Sequence, residues 1–577
     1  MSRLKLMAAC SAAVLALGLA ACGRSAEPPA ASSGIDGAST PATFEPAIDA
    51  ADFARHVEVL SSDEFAGRAP GGIGEEKTVA YLVEQFKRRG LAPGNGDSYL
   101  QTVPMVETTA DPSTSLTFNV DGKGRELRYG SEMMVGTRSG QARVDIDDSQ
   151  LVFVGYGVNA PELGWNDYAG IDVAGKTVVM FINDPGFHAQ DAALFEGKRM
   201  TYYGRWTYKY EEAARQGAAA ALIIHDTAGA SYGWDVVRNS WSGPQFDLPA
   251  KDDPEPRLPA QGWITGEVAR SLLGDLGQDL DALYRAANRP GFKAIPLDAT
   301  MSLELASETV KKSSQNVIAM LPGSARPDEA VVYMGHWDHL GDHGHEGSAG
   351  TDGDSIYNGA IDNATGIAGI LEIAEAFVAQ KPKPERSVLF LAVTLEESGL
   401  LGSKYYVAHP SVPLAKTVAV INLDAMPVIG PTNDMTVVGL GNSELEDVLE
   451  QAAREQGRVL HAEATPESGF YFRSDHFNFA KAGVPALYAK GGDQLVDGGL
   501  AAGQKAHLDY RDNRYHKPTD EFDPDWDLRG VVQDLEALYT VGRVLAGGDQ
   551  WPSWREGNAF RATRERMMGE AADTSVP

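Results

Sequence analysis

Between residues 329 and 490 the sequence alternates apolar, strand-like runs with stretches of helical periodicity. The strand-like runs are EAVVYMGHW, RSVLFLAVT, TVAVINLDA and VPALYA, and the helical stretches between them are NATGIAGILEIAEAFVA, GLLGSKYYVAH and SELEDVLEQAAREQG. Strands that are apolar throughout and separated by helices are typical of a parallel or mixed sheet covered on both faces. We therefore predict an α/β fold with a mixed, largely parallel sheet and helices on both faces.

The chain is longer than one ordinary hydrophobic core supports, because its 577 residues exceed the usual size of a single domain. A second series of strand-like runs, QLVFVGYGV, KTVVMFIND and AAALIIHD, occurs early in the chain, with the helical stretch YKYEEAARQGA between the last two. We predict a main domain formed by residues 48–135 and 298–550, an inserted small α/β domain over 136–297, and a C-terminal tail over 551–577.

The N-terminus has the pattern of a targeting segment. Two basic residues precede the apolar run AAVLALGLAA, which is too short to span a bilayer as a helix. The LAAC sequence that follows resembles a bacterial lipobox, which implies removal of a signal peptide over 1–21 and lipidation of Cys22. An ordinary signal peptide is the alternative. Residues 22–47 are predicted to be a tether, and the protein is expected on the periplasmic side of the cell envelope, anchored by lipid to the outer membrane.

Charge and cysteine content restrict the partners and the metal ligands. The chain has 80 acidic and 50 basic residues and a formal net charge of -30, which disfavours nucleic acid as a partner. Cys10 and Cys22 are the only cysteines, so a chain beginning at Cys22 has no disulfide and no cysteine left to bind metal. Any metal would be held by His, Asp and Glu side chains.

Acidic and histidine side chains occur where ligand sites form in open α/β sheets, beyond the carboxyl ends of the strands. They follow three strand-like runs, begin one helix and lie in one proline-containing loop: His336 and Asp338, Glu396 and Glu397, Asp424, Asp362 with Asn363, and His516. Taken singly, each has an ordinary interpretation as a helix cap, a solvated strand end or a surface histidine. Together they favour a site of two histidines and three carboxylates, which suits two neighbouring divalent metals, with one further carboxylate as a base.

These motifs, in this order, resemble the family-28 metallopeptidases, which include bacterial leucyl aminopeptidases, glutamate carboxypeptidases and glutaminyl cyclases. The resemblance covers about residues 48–135 and 298–545. The stretch FVGYGVNAPELGWNDYAGIDVAGKTVVMF within the predicted insert resembles the protease-associated domain. The family resemblance implies a zinc aminopeptidase-like fold, two Zn²⁺ ions per chain, peptide substrates and a cis peptide bond before Asn363.

The resemblance also implies which residues bind zinc. GHWDH implies His336 as a ligand to one zinc, and NGAIDNATG implies Asp362 as the ligand shared by both. LEESGLLGS implies Glu397 as a ligand to the other zinc. INLDAM adds Asp424 beside His336, and YHKPTD adds His516 beside Glu397.

Other residues receive roles by the same resemblance. Glu396 is implied as the general base, and Asp338 as the carboxylate that orients the histidine two residues before it. The segment SGFYFRSDHFNFAKAGVPAL resembles the part of the family that lines the substrate pocket, which makes Ser474, Asp475 and His476 candidate substrate contacts.

The expected function is therefore hydrolysis of peptide bonds by a di-zinc enzyme that releases N-terminal residues. A carboxypeptidase or a glutaminyl cyclase on the same scaffold is the main alternative. A serine hydrolase is a remote one, since GASYG over 229–233 fits G-x-S-x-G but has no strand directly before it. A receptor-like protein without metal is equally remote, since every ligand type is present. The preferred side chain, the role of the insert and the oligomeric state are left open.

Overall fold

We describe the protein from a computed structural model in which residues 48–253, 255–342 and 353–574 are described. The predicted signal peptide over 1–21, Cys22 and the tether to residue 47 lie outside the described residues, so the lipid anchor stays a prediction. Among the described helices, none combines the length and the apolar character needed to cross a membrane.

The larger sheet contains the apolar runs that define the predicted α/β fold. In order across the sheet its strands are Pro244–Asp247, Leu100–Ala110, Ile295–Leu321, Arg386–Val393, Arg326–His336, Thr417–Asn422, Ala486–Gly491, Asp434–Val437 and Val459–Ala462, with the short strand Ala92–Pro93 also beside Ile295–Leu321. The strands from Arg386–Val393 to Ala486–Gly491 are parallel, and antiparallel strands flank them. The predicted mixed α/β sheet is confirmed.

Helices cover both faces of this sheet, because its central strands are buried on both sides. In the strand Arg326–His336, the Tyr333 hydroxyl donates to the main chain of the helix Arg529–Gly547 on one face. Met334, the next residue, packs with Phe479 in an apolar cluster on the other face. Successive side chains of a strand point to opposite faces, so one apolar strand contributes to two cores.

The described helices vary from one turn to five. They are Ala50–Leu60, Ile73–Arg88, Pro185–Ala189, Trp206–Arg215, Thr227–Ala230, Trp234–Trp241, Gly266–Asp275, Leu280–Ala287, Gly366–Ala379, Leu401–Ala408, Leu445–Glu455, His476–Lys481, Gly499–Asn513, Arg529–Gly547 and Arg561–Thr574. The first begins at Ala50, after the N-cap residue Asp49, whose carboxylate accepts hydrogen bonds from the main-chain N–H groups of Ala51 and Asp52.

A second sheet has eight strands, four of which lie within the predicted insert. Its strands in order are Lys123–Leu127, Ser115–Val120, the first part of Ile295–Leu321, Arg143–Phe153, Thr177–Phe181, Ala220–Ile224, Ala260–Ile264 and Met133–Gly136. The strands Thr177–Phe181, Ala220–Ile224 and Ala260–Ile264 are parallel and fully buried. The second sheet has apolar clusters of its own on its two faces.

One strand of 27 residues, Ile295–Leu321, belongs to both sheets. Residues 299–304 pair with Ser115–Val120 in the second sheet, and residues 307–317 pair with Leu100–Ala110 in the larger one. The polar stretch KKSS, residues 311–314, interrupts the apolar pattern of this strand.

The predicted domain limits at residues 136 and 297 stay a prediction. Sheet membership does not follow them, since Ser115–Val120 lies before the predicted insert but joins the second sheet. Conversely, Pro244–Asp247 lies within the predicted insert and pairs with Leu100–Ala110 in the larger sheet. The physical reason is that strand pairing is set by the edges of Ile295–Leu321 and Leu100–Ala110. Segments on either side of a predicted limit can pair with these two strands.

Candidate metal centre

Three neighbouring parallel strands deliver side chains to one edge of the larger sheet. In the register of the strands, His336 lies beside Val393, the last residue of the neighbouring strand. On the other side, Met334 lies beside Asn422, two residues before Asp424. The carboxyl ends of these strands therefore meet, as the sequence predicts for a ligand site.

Asp362 reaches the same edge from the loop that leads into the helix Gly366–Ala379, and its peptide bond to Asn363 is cis. The Asn363 side chain holds this loop against the strand ends. Its amide nitrogen donates to the main-chain oxygens of His336 and Leu423, at 3.3 and 3.0 Å. Its amide oxygen accepts from two main-chain N–H groups, one of them that of Ala425 at 3.1 Å. Asn363 therefore connects the three backbone segments that carry the predicted ligands His336, Asp362 and Asp424.

His516 comes from a late loop, and the same loop fixes the backbone around Asp362. The buried carboxylate of Asp520 accepts hydrogen bonds from the main-chain N–H groups of Ile361 and Asp362, at 3.1 to 3.2 Å. The ring of Tyr515 stacks on that of His516, with centroids 3.9 Å apart. The segment 515–520 thus supplies the candidate ligand His516 and holds the backbone of the candidate ligand Asp362 in place.

The five predicted ligands form two groups that share Asp362. The Nε2 atom of His336 lies 3.2 Å from Asp362 Oδ1 and 3.6 Å from Asp424 Oδ1. The Nε2 atom of His516 lies 3.3 Å from Asp362 Oδ2 and 3.2 Å from Glu397 Oε2. Ligand atoms about 2.0–2.2 Å from one tetrahedral zinc are about 3.4 Å apart. The donor set therefore fits zinc: each histidine stands with two carboxylates at the spacing of ligands on one ion.

Glu396 and Glu397 diverge because the chain turns sharply before them. Leu395 has a φ of 58°, in the left-handed region, which ends the strand alternation. The Glu396 N–H donates to Asp338 Oδ1 at 3.2 Å, and Glu397 Oε1 lies 2.6 Å from the Nδ1 atom of His339. The two adjacent carboxylates consequently enter the centre in different surroundings.

These surroundings move the two glutamate pKa values in opposite directions. Burial, then the neighbouring carboxylates, raise the pKa of Glu396 well above its usual value, although the imidazole of His336 opposes the shift. Burial also acts to raise the pKa of Glu397, but the imidazoles of His516 and His339 outweigh it and lower that pKa. Two acidic groups with separated pKa values are the pattern expected where one holds a proton and the other stays ionised.

Asp338 lies beneath the centre, fully buried. The Nδ1 atom of His336 lies 3.1 Å from the main-chain oxygen of Asp338 and 3.9 Å from its carboxylate. The close partner of this imidazole is therefore a carbonyl group, and the carboxylate holds the Glu396 backbone instead. Orientation of His336 by the Asp338 carboxylate stays a prediction.

The three candidate substrate contacts are buried beside the ligands. The hydroxyl of Ser474 donates to Asp424 Oδ2 at 2.5 Å, and Asp475 accepts from the hydroxyl of Ser403 at 2.5 Å. The ring of His476 packs edge-on against that of Tyr471, with centroids 4.6 Å apart. Ser474 thus supports a predicted ligand, and substrate contact by these residues stays a prediction.

Three residues at the centre receive no role in the sequence analysis. His339 contacts Glu397, as given above. The Lys490 amine donates to the main-chain oxygens of Asp424 and Ala425, at 3.3 and 3.2 Å. Arg68 donates to main-chain oxygens near two of the ligands. The motif GHWDH contains His339 and is its only sequence signal, whereas Arg68 and Lys490 act through contacts distant in sequence.

The comparisons with known proteins agree with this geometry. Residues 316–540 match the family model described as Peptidase family M28. Aminopeptidase NAALADL1 of Mus musculus is 28% identical over 215 residues, which are 35% of this chain and 26% of that protein. Leupeptin-inactivating enzyme 1 of Streptomyces exfoliatus is 32% identical over 182 residues, 30% of this chain and 39% of that protein. The chain thus spans between about a quarter and two fifths of the length of these relatives.

Two solved structures that are similar to this chain over most of its length are aminopeptidases. The aminopeptidase from Aneurinibacillus sp. strain AM-1 is 22% identical, with a TM-score of 0.46 over 85% of this chain and 93% of that one. The zinc aminopeptidase BSAP from Bacillus subtilis is 18% identical, with a TM-score of 0.37 over 86% of this chain and 95% of that one. The family match rests on the sequence model, whose span contains all five predicted metal ligands. Residues 316–540 of this chain are therefore similar to peptidases of family M28.

Proposed function

We propose that this protein is a zinc-dependent aminopeptidase whose centre holds two zinc ions. One observation carries the proposal: the two oxygens of Asp362 lie beside two different histidines, His336 and His516, at 3.2 and 3.3 Å. A carboxylate shared in this way is what a site for two neighbouring metal ions requires. Asp424 would complete the set around His336, and Glu397 the set around His516.

Bound zinc supplies positive charge that polarises a peptide carbonyl group and makes water easier to deprotonate. The protein supplies the proton carrier. Glu396 stands next to the ligand Glu397, and one of its carboxylate oxygens lies within 4.8 Å of ligand atoms of His336 and Asp424. We assign to Glu396 the removal of a proton from the attacking water and its delivery to the leaving amine.

The surroundings of Glu396 support this assignment. Its pKa is raised, first by burial, so its carboxyl group can hold a proton that an exposed glutamate would release. Its main-chain N–H is fixed on Asp338. The backbone that carries the carboxyl group is therefore held in place at the centre.

Specificity for the amino end is supported by the similarity to Aminopeptidase NAALADL1, whose name describes an aminopeptidase. A carboxypeptidase is the second candidate, because Probable glutamate carboxypeptidase LAMP1 of Arabidopsis thaliana is 28% identical over 204 residues, 35% of this chain and 25% of that protein. The two activities differ in which end of the peptide must be free.

Two adjacent substitutions test the roles of the glutamates. Glu396→Gln should retain the wild-type zinc content and lose about 100-fold to 10,000-fold in kcat, the contribution of a general base. Glu397→Gln should lose zinc as well as activity. Zinc is measured by elemental analysis after exhaustive dialysis. Loss of zinc from Glu396→Gln with retention by Glu397→Gln would show that the roles are reversed.

A substrate panel separates the candidate activities. The same tetrapeptide is supplied with both ends free, with an acetylated N-terminus and with an amidated C-terminus, and the products are identified by mass. An aminopeptidase cleaves the first and third peptides and leaves the acetylated one intact. Cleavage of the acetylated peptide with loss of its C-terminal residue would replace this proposal by the carboxypeptidase.

A further inference from the structure

Part of the predicted insert lies against the segment that leads to the metal centre. The main-chain N–H of Met200 donates to the Pro466 oxygen at 3.2 Å. The ring of Tyr202 packs near those of Phe472 and Phe477, with centroids 6.5 and 5.4 Å apart. Residues 200–206 of the insert and residues 466–477 of the peptidase therefore form one continuous contact.

Two arginines occur in these facing segments, and neither has an acidic partner. Among the described residues, no carboxylate lies within 4 Å of the guanidinium group of Arg205 or of Arg473. Arg205 donates no side-chain hydrogen bond there, and Arg473 makes one, a long 3.4 Å contact with the exposed hydroxyl of Ser231. The Nε atoms of both arginines are buried and have no hydrogen-bond partner within the described ranges.

Arg205 follows Tyr202 by three residues and Arg473 follows Phe472 directly, so the contact between these two rings brings the two arginines to one region. Burial, and then the charge of Arg473, lower the pKa of Arg205 to about 9. Burial raises the pKa of the Tyr232 hydroxyl, and both Arg205 and Arg473 oppose that shift. Like charges held together in this way are unfavourable until an anion comes between them.

This pairing is unusual within the molecule. Other partly buried arginines of the insert have carboxylate partners, as Arg138 has in Asp247, Arg215 in Glu212 and Arg257 in Asp253. The chain as a whole has 30 more acidic than basic residues. Two unpaired arginines facing each other in such a chain indicate that their anion comes from outside it.

The position of the pair connects it with the centre. Arg473 is followed directly by Ser474, whose hydroxyl donates to the predicted ligand Asp424. Consecutive Cα atoms are only about 3.8 Å apart, so the backbone of Arg473 lies directly beside the residue that contacts the predicted ligand. The side chain stacks over the ring of the exposed Phe470, with its guanidinium carbon 5.4 Å from the ring centroid.

We propose that Arg205 and Arg473 form an anion subsite that binds a carboxylate group of the peptide substrate, with one arginine supplied by the insert and one by the peptidase. The planar guanidinium group presents several N–H donors in the geometry of a carboxylate. The carboxylate is either the C-terminus of a short peptide or an acidic side chain of it. This inference rests on the proposed peptidase function and adds the class of substrate: short or acidic peptides.

Matched peptides test the subsite. In the first series, tri-, tetra- and pentapeptides with neutral side chains are compared as free acids and as C-terminal amides. In the second series, peptide amides with one internal glutamate are compared with the same amides in which that residue is glutamine. We expect kcat/KM to favour the peptide with the carboxylate by about tenfold to a hundredfold, the range for charged hydrogen bonds. The first series reports a C-terminal carboxylate and the second an acidic side chain.

Substitutions then assign the preference to the two arginines. Arg205→Gln and Arg473→Gln should each reduce the ratio of carboxylate to neutral substrate to near one, and Arg473→Lys should restore part of it. Arg238→Gln removes the same charge from an exposed arginine of the insert and should leave the ratio unchanged. A wild-type ratio near one in both series, or a ratio that Arg205→Gln does not alter, would overturn the subsite.

A binding measurement separates failure of the subsite from failure of the proposed function. Tetrapeptides with a free N-terminus, as C-terminal acid and as C-terminal amide, are titrated calorimetrically into Glu396→Gln, a measurement that requires no turnover. Hydrolysis of an uncharged aminoacyl anilide by the wild type tests the proposed function separately. Binding that is tighter for the acid than for the amide, and no longer so in the double variant Glu396→Gln/Arg205→Gln, supports the subsite even if the anilide is not hydrolysed. Equal binding of acid and amide in both variants refutes it even if the anilide is hydrolysed.

Discussion

The Nε atom of Arg68 donates a 2.9 Å hydrogen bond to the main-chain oxygen of Trp337, 269 residues later in the sequence. The remaining donors of this guanidinium reach the main-chain oxygens of Leu60, Asn358 and Gly359, at 2.6 to 2.8 Å. Arg68 is buried, and burial lowers its pKa to about 10, so it stays charged at neutral pH. One early arginine thus joins the strand end after His336 to the loop before Asp362.

Replacing Arg68 by Met should destabilise the protein and its centre together. The change leaves four main-chain oxygens without their donor, and each stranded group costs about 1–3 kcal/mol, so we expect the free energy of unfolding to fall by more than about 3 kcal/mol. Chemical denaturation and zinc content measure the two effects. Arg88→Met is the control, because that arginine has a 67% exposed side chain and a surface ion pair worth at most about 1 kcal/mol. Equal stability of the two variants would contradict the role of Arg68.

His339 should determine how tightly zinc is held. Its Nδ1 atom lies 2.6 Å from the oxygen of Glu397 that does not face His516. Loss of a partner that orients a metal ligand typically lowers metal affinity about 10-fold to 100-fold. We expect His339→Ala to lose zinc at a correspondingly lower chelator concentration, and His339→Asn, which keeps a nitrogen near the same position, to lie between it and the wild type. Unchanged zinc retention in His339→Ala would remove this role.

Glu372 should make stability fall as the pH rises. Its carboxylate accepts from the Asp49 N–H at 2.9 Å, and burial, more than the repulsion of Glu375, raises its pKa from 4.5 to about 7. A carboxyl group with a raised pKa in the folded state binds its proton more tightly there than in the unfolded chain. Its contribution to the free energy of unfolding therefore declines between pH 4.5 and pH 7.

Glu372→Gln should remove that decline, because the amide oxygen can still accept the Asp49 N–H and carries no charge. The variant should match the wild type near pH 4 and exceed it by up to about 3 kcal/mol at pH 8, since one pKa unit corresponds to about 1.4 kcal/mol. Denaturation at both pH values measures the difference. Glu375→Gln is the control: this half-exposed glutamate pairs with Arg89 at 3.2 Å, and its loss should not stabilise the protein. A constant difference between pH 4 and pH 8 would refute the assignment to Glu372.

Cys22 should determine where the protein is found in a bacterial cell. If the lipobox is used, the wild type sediments with the membrane fraction and its N-terminal peptide carries the mass of a lipid. Cys22→Ser should move the protein to the soluble fraction of the envelope or leave it unprocessed. Recovery of wild type and variant in the same soluble fraction would favour the ordinary signal peptide.

The sequence predicts those parts of the centre that follow strands or begin a helix. His336, Glu397 and Asp424 are found this way, because an apolar run predicts a buried strand, and the strand's end predicts where the next side chain lies. The structure brings the side chains of the five predicted ligands together, and their binding of zinc stays a prediction. The division of labour between Glu396 and Glu397 also needs the left-handed turn at Leu395, which no local pattern reveals.

Residues that act across the fold are not predictable in this way. Arg68 and Asp520 bind main-chain groups, and a main-chain oxygen or N–H leaves no signature in the sequence of its partner. The facing of Arg205 and Arg473 depends on how the insert packs on the peptidase. The strand Ile295–Leu321 is hard to predict for another reason: the polar KKSS stretch in its middle, whose first three residues are exposed, resembles a loop when only polarity is considered.

That strand has a mechanical consequence. At about 3.3 Å per residue, its 27 residues form a continuous ribbon with a contour length of about 90 Å, bonded to neighbours in one sheet at one end and in the other sheet at the other. A domain joined by two flexible linkers can rotate freely. A sheet that shares a strand with another sheet can move relative to it only if that strand bends. The position of the second sheet relative to the larger one is therefore set in part by the continuous backbone of a single strand.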